Sequence, residues 1–149
     1  MEAPDLKRWK NAGAVARRTL DHISSTMEAG QTWHSVIEAA ERYIRRHGGN
    51  PAFPCTLSVN DIAAHYTTHH SLNPLDGVEK MVLRKGDLVK LDIGVHVKGA
   101  IADNAITVEI GNSRNHTDQI KAAEEARNAS IELMHPGTSW HEVGAAAEQ

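Results

Sequence analysis

The stretch Leu88-Val89-Lys90-Leu91-Asp92-Ile93-Gly94-Val95-His96-Val97, then Lys98-Gly99, then Ala100-Ile101-Ala102-Asp103-Asn104-Ala105-Ile106-Thr107-Val108-Glu109-Ile110, decides the fold of this 149-residue chain. Both arms are rich in Val, Ile and Leu and alternate with period two, so each reads as a strand. Lys98-Gly99 fits a two-residue hairpin loop, because Gly takes the positive φ that tight hairpins need. With Val97 opposite Ala100, Asp92 falls opposite Ala105 and Asp103 opposite Gly94. The two aspartates then share one face as diagonal neighbours, their Cβ atoms less than about 7–8 Å apart. A three-residue loop would instead put them on opposite faces.

The other face carries Val89, Leu91, Ile93, Val95 and Val97 on the first arm, with Ala102, Asn104, Ile106, Val108 and Ile110 on the second. It is a core-facing surface broken only by Asn104. Around the two acids stand small and polar groups: Lys90, Gly94, His96, Ala105 and Thr107. Side-by-side carboxylates repel, and a half-buried one without a partner is costly. Divalent cations resolve both problems; two ions about 3.5–4 Å apart, bridged by carboxylates, form a known hydrolytic device. At this level the alternative stays open that two Asp on an exposed face simply meet water.

The segment Lys90-Leu91-Asp92-Ile93-Gly94-Val95-His96-Val97 with Ile101-Ala102-Asp103-Asn104-Ala105 resembles the first metal-ligand segment of the type 2 methionine aminopeptidases of peptidase family M24, in their compact archaeal form. A second block, Ala52-Phe53-Pro54 with Asn60-Asp61-Ile62-Ala63-Ala64-His65-Tyr66-Thr67, resembles the family's methionine-pocket segment and active-site histidine. The resemblance covers nearly the whole chain. It implies the pita-bread fold, two pseudosymmetric αβ halves around a dinuclear metal site. This chain would be the N-terminal half, of α/β (α+β) class, with an antiparallel hairpin and sheet packed against helices. The resemblance makes Asp92 and Asp103 ligands of two divalent ions (Mn, Fe, Co or Zn). It makes His65 the catalytic residue that contacts substrate and stabilises charge at the scissile amide, and Phe53 a wall of the methionine pocket. The implied activity is removal of the initiator methionine from N-terminal Met peptides and nascent chains, with the ribosome as a candidate partner.

Three features depart from the family pattern. The family completes its site with a His and two Glu from the second half, which this sequence does not contain before Gln149. The span from His65 to Asp92 is longer, with His69-His70-Ser71-Leu72-Asn73-Pro74-Leu75 as the expected extra loop. Thr68 stands where the family often has Pro. Three other readings follow: a non-catalytic pita-bread paralog that binds ribosomes, RNA or protein; an aminopeptidase P or prolidase; and a half-length protein whose self-association completes the site. Retention of both aspartates counts against the first, because unpaired acids are costly to keep. The Phe53-Pro54 and Ala63-Ala64-His65-Tyr66-Thr67 blocks favour the methionine branch over the second.

Length and composition fit one domain over 1–149 with its own core. Aromatic residues make up only 4%, so that core must be mostly aliphatic. A net charge of −3 gives no reason to expect a specific nucleic-acid partner, which would favour a basic patch. The single cysteine, Cys55, excludes an internal disulfide; a reducing, cytoplasmic setting is the economical reading. No apolar run approaches the roughly 18 residues that span a bilayer. Met1-Glu2-Ala3-Pro4-Asp5 shows no hydrophobic signal core.

Elsewhere the periodicity predicts four helices. The first opens at Pro4-Asp5, with an apolar face of Leu6, Trp9, Ala12, Ala16, Leu20, Ile23 and Met27, and Gly30 as its C′ residue. The second runs from Trp33 to about His47 behind the N-cap Thr32 and stops at Gly48-Gly49-Asn50-Pro51. Ala52 to Val59 reads as extended, and Asn60 as the cap of a short helical turn that projects His65. A third helix is expected from Asp118 to about Met134, with Ile120, Ala123, Ala126, Ile131 and Leu133 as candidates for burial. Thr138 or Ser139 caps a last helix whose inward face is Trp140, Val143, Gly144 and Ala147, and which reads as cut in mid-element at Gln149.

Overall fold

The computed structural model describes residues 3–68 and 81–148. The loop expected at His69 to Leu75 lies outside these residues. Contacts group the chain into two compact units, Met1–Ser113 and Arg114–Gln149.

In the first unit, helices α1 (Ala3–Thr26) and α2 (Trp33–Arg46) precede the short strands β1 (Asn50–Pro51) and β2 (Thr56–Val59) and the hairpin β3 (Leu88–Val97) and β4 (Ala100–Glu109). All pairing is antiparallel and β3 is central. β4 takes one edge along its whole length, from Leu88↔Glu109 to Val97↔Ala100, while β2 and β1 take successive stretches of the other. The register is the one the sequence predicts. Lys98 (φ 49°) and Gly99 (φ 88°) both take positive φ, the signature of a type I′ turn.

Of the odd-numbered side chains of β3, Val89, Leu91, Ile93 and Val95 are fully buried, and Val97 beside the turn is only partly so. The four buried ones meet Val15, Ala16, Leu20 and Ile23 of α1, and Val36, Ile37, Ala40 and Ile44 of α2, in one aliphatic cluster. α1 lies across β3 and β4, and α2 across β1 and β2. Because β4 is an edge strand, its core-side residues Ala102, Ile106 and Val108 are only partly buried and Asn104 is exposed. Thr32 caps α2 as predicted, its hydroxyl accepting from the Ser35 N–H at 3.1 Å. The chain re-enters β3 through a turn in which the Arg84 N–H donates to Asp87 Oδ2 at 2.8 Å.

Three local expectations are corrected. α1 ends at Thr26, so Gly30 (φ 94°) is not its C′ residue; Gly30 turns the chain so that its N–H reaches Leu83 O at 2.8 Å. Leu6 and Trp9 at the start of α1 stay half-exposed, and the apolar stripe instead includes Val15. Asn60 caps no helix; residues 60–65 form an irregular loop.

The second unit consists of α3 (Thr117–Leu133) and α4 (Trp140–Ala147), packed on each other. Ser139 caps α4 in a full capping box with Glu142. Contrary to the sequence reading, α3 buries none of its residues. On α4 only Val143 is buried, and Trp140 is 81% exposed. Two helices packed on each other bury only the strip between them, so apolar residues off that strip stay exposed. Among the described residues no helix is long and apolar enough to cross a membrane.

Candidate metal and peptide site

Asp92 stands on the central strand, with Ala105 of β4 on one side and Thr56 of β2 on the other. Asp103 stands opposite Gly94, one step along the diagonal. Both carboxylates open into a cavity of about 360 Å³ lined by Phe53, Pro54, Thr56, His65, Thr67, Asp92 and Asp103. All four residues singled out from the sequence, Phe53, His65, Asp92 and Asp103, therefore meet in one place.

Phe53 is placed by the break between β1 and β2. The Ala52 N–H donates to Gly94 O at 2.9 Å, and the ring then lies over Gly94. A Cβ on residue 94 would come within 2.3 Å of Phe53 Cε1 and 2.4 Å of Cδ1, so only glycine leaves room for the ring. Of the expected extended segment Ala52–Val59 only Thr56–Val59 is a strand; Ala52 and Phe53 form a bend, because the chain leaves the sheet there to pass around Gly94.

His65 sits where the loop after β2 returns to the sheet. The Leu57 N–H donates to Tyr66 O at 2.8 Å, and the Thr67 hydroxyl to Cys55 O at 3.0 Å. His65 itself takes φ 63°, a left-handed conformation that is uncommon for a non-glycine residue. Such strain persists only where neighbours over-determine it. Here Tyr66 packs edge-on against Trp33, with ring centroids 5.4 Å apart. Thr68 is buried, its hydroxyl 2.9 Å from His34 Nδ1.

The electrostatics of the acid pair are unfavourable as they stand. Burial pushes the Asp92 carboxyl up from its ordinary value, and Asp103 pushes it further, by its charge and by hydrogen bonding; His65 pulls it down. Among the described residues, Asp92 Oδ1 is buried without a hydrogen-bond partner, as is His96 Nδ1. A buried carboxylate oxygen facing a second carboxylate across a cavity suits a hard divalent cation. Among the described residues no third His, Cys, Asp or Glu joins the pair in a metal-binding cluster.

Sequence reasoning missed Thr56 and the demand on Gly94. Thr56 enters the site only through pairing with Asp92, and nothing in its neighbours marks that register. Gly94 was visible as the one residue without a side chain on the acidic face, which is a sign of close approach.

Residues 7–149 match the profile of metallopeptidase family M24. The chain belongs to this family, and its helices and antiparallel sheet are those of the pita-bread fold. It is 41% identical over 138 residues to the methionine aminopeptidase of Thermococcus onnurineus, a match that covers 93% of this chain and 44% of that protein. It is 38% identical to that of Methanocaldococcus jannaschii, over 97% of this chain and 46% of that one. The chain thus spans less than half the length of these relatives. A shorter relative, the methionine aminopeptidase of Methanothermus fervidus, is 32% identical and 78% covered. Among solved structures, methionine aminopeptidase from Rickettsia prowazekii superposes with a TM-score of 0.84 at 23% identity, over 99% of this chain and 59% of that one. Proline aminopeptidase P II from Yersinia pestis gives the same score at 22% identity, over 99% of this chain and 33% of that one. These likenesses speak for the fold alone.

Proposed function

We propose that this chain supplies the N-terminal part of the active site of a methionine aminopeptidase. The observation that carries the reading is the convergence of Phe53, His65, Asp92 and Asp103 on one cavity. Asp92 and Asp103 would hold two divalent ions of the set Mn, Fe, Co and Zn. When bound, such ions supply Lewis acidity at a carbonyl and lower the pKa of water. Phe53 offers an apolar wall to a flexible, unbranched side chain. His65 donates a hydrogen bond as negative charge develops at the scissile amide. Substrates in this reading are peptides and nascent chains beginning with Met, in the cytoplasm and at the ribosome. Residues 1–149 form one domain in this proposal, and further ligands come from other sequence or from a second copy of the chain.

The test is cleavage of Met-Ala-Ser by purified protein with Mn²⁺ or Co²⁺, beside Asp103→Asn and a prolyl dipeptide. Cleavage of the methionyl peptide that disappears in the variant supports the reading; cleavage of the prolyl dipeptide alone points to the aminopeptidase P and prolidase branch. Sedimentation with and without Mn²⁺ tells whether a second copy takes part. Metal binding without cleavage means that these residues hold the ion but need the remaining ligands.

A further inference from the structure

We infer that Asn60 is a positioning residue for His65: it locks the loop that carries the histidine to the strand that carries Asp92. This rests on the peptidase reading for its catalytic consequence, but the geometry stands by itself. Asn60 leaves β2 at φ 53°, a left-handed conformation that Asn tolerates better than most residues. From there it makes four hydrogen bonds to the start of β3 and the residue before it. Its N–H donates to Leu88 O at 2.9 Å, and its side-chain Oδ1 accepts from the Leu88 N–H at 2.9 Å. Its Nδ2 donates to Asp87 Oδ1 at 3.0 Å, and its carbonyl accepts from Lys90 Nζ at 2.8 Å. One residue thus uses both backbone groups and both side-chain groups on the span Asp87–Lys90.

The loop is fixed at its other end by different bonds, Leu57 N–H to Tyr66 O and Thr67 hydroxyl to Cys55 O. Between the two clamps, Ile62 is partly buried against the core and its N–H turns back to Val59 O at 3.1 Å. Among the described residues the loop is held by bonds of His65's neighbours, Tyr66 and Thr67, and by those of Asn60. The place of His65 beside Asp92 follows from where the loop starts and ends. The Asn60 clamp sets the start relative to β3, four residues from Asp92.

The pairing also supplies a rescue. Asp87 accepts from Asn60 with one carboxylate oxygen and from the Arg84 N–H with the other. Asn60→Asp keeps the acceptor for the Leu88 N–H but sets two carboxylates against each other. Adding Asp87→Asn restores a donor facing the new acid and keeps an acceptor for Arg84. The readouts are amide hydrogen exchange over residues 61–66, the His65 ring shifts by NMR, and kcat and KM for Met-Ala-Ser with Mn²⁺. The single variant is expected to exchange about tenfold faster over the loop and to move the His65 ring resonances. Its kcat falls about tenfold or more with KM within about twofold, since small misplacements of a reacting group are costly. The double variant returns all three toward wild type. Loop exchange and ring shifts unchanged in Asn60→Asp would overturn the inference. Failure of the peptidase reading looks different: Mn²⁺ then leaves the Gly94 and Ala105 amide signals of the wild type unbroadened, while the exchange comparison still decides the role of Asn60.

Discussion

Gly94 and Phe53 are matched as space and filler: the ring of one occupies the volume that a side chain on the other would need, with 2.3 Å left to the nearest ring carbon. The pairing couples the strand that carries Asp92 to the wall of the cavity. Gly94→Ala is expected to expel the ring, lowering stability by about 1–3 kcal/mol, the usual penalty for overpacking. Urea denaturation measures the loss, and the Phe53 ring signals report the displacement. Unchanged ring signals with full stability would sink this account.

The acid pair predicts opposite signs for one substitution. Asp103→Asn removes a repulsion, so the metal-free protein should become slightly more stable near neutral pH, by less than about 1 kcal/mol given the exposure of the pair. The same change should abolish the stabilisation that Mn²⁺ gives the wild type, about 2.7 kcal/mol at a hundredfold excess over Kd. Thermal melts with and without Mn²⁺ and EDTA check both halves.

The pH dependence of that pair follows from the raised Asp92 carboxyl. A group whose value rises on folding stabilises the protein fully below its ordinary value, here 3.8, and loses that contribution as pH climbs through the raised one. In the absence of metal, Asp92 therefore favours the fold at acid pH. Metal binding runs the other way, because ligands must be deprotonated. Mn²⁺ titrations at two pH values should show affinity falling as the solution is acidified.

Cys55 is buried beside Glu41, and burial pushes its thiol up from 9.0 to about 12. It should resist iodoacetamide in the native protein and react on denaturation, because the thiolate is the reactive form. Its contribution to stability is complete below 9.0 and is lost as pH rises through about 12. Rapid labelling of the native protein near pH 8 would contradict this placement.

Glu41 is a buried acid tied at both oxygens, accepting from the Cys55 N–H at 3.3 Å and from Arg45 at 2.9 Å. Glu41→Leu leaves the Cys55 N–H without its acceptor and should cost about 1–3 kcal/mol. Glu41→Gln keeps an acceptor and should cost less. Equal losses in the two variants would place the energy in packing rather than in the bond.

The hairpin was legible in the sequence because alternation and a two-residue turn fix a register by counting alone. The same count put both aspartates on one face. The bonds that hold the loop of His65 were not legible, since Asn60 reaches Asp87, Leu88 and Lys90 across a long intervening segment. Local chemistry suggests a helix cap for Asn60, and tertiary partners override it. In α1, the stripe was read from Leu6 and Trp9, yet the sheet lies under the later turns, so Val15 is buried and those two are not. On α3 every apolar candidate failed, because periodicity reports a face but not what stands opposite it.

The central position of β3 has a consequence for how the site is made. The two acids lie on one hairpin, which can close on the timescale of about 1–10 μs. His65 is brought to them by a long-range strand pairing, β2 on β3. Contacts distant in sequence pay loop-closure entropy before they are rewarded. The acidic arm is thus built from contacts local in sequence, whereas the histidine's place in the same cavity depends on contacts that close a long stretch of chain.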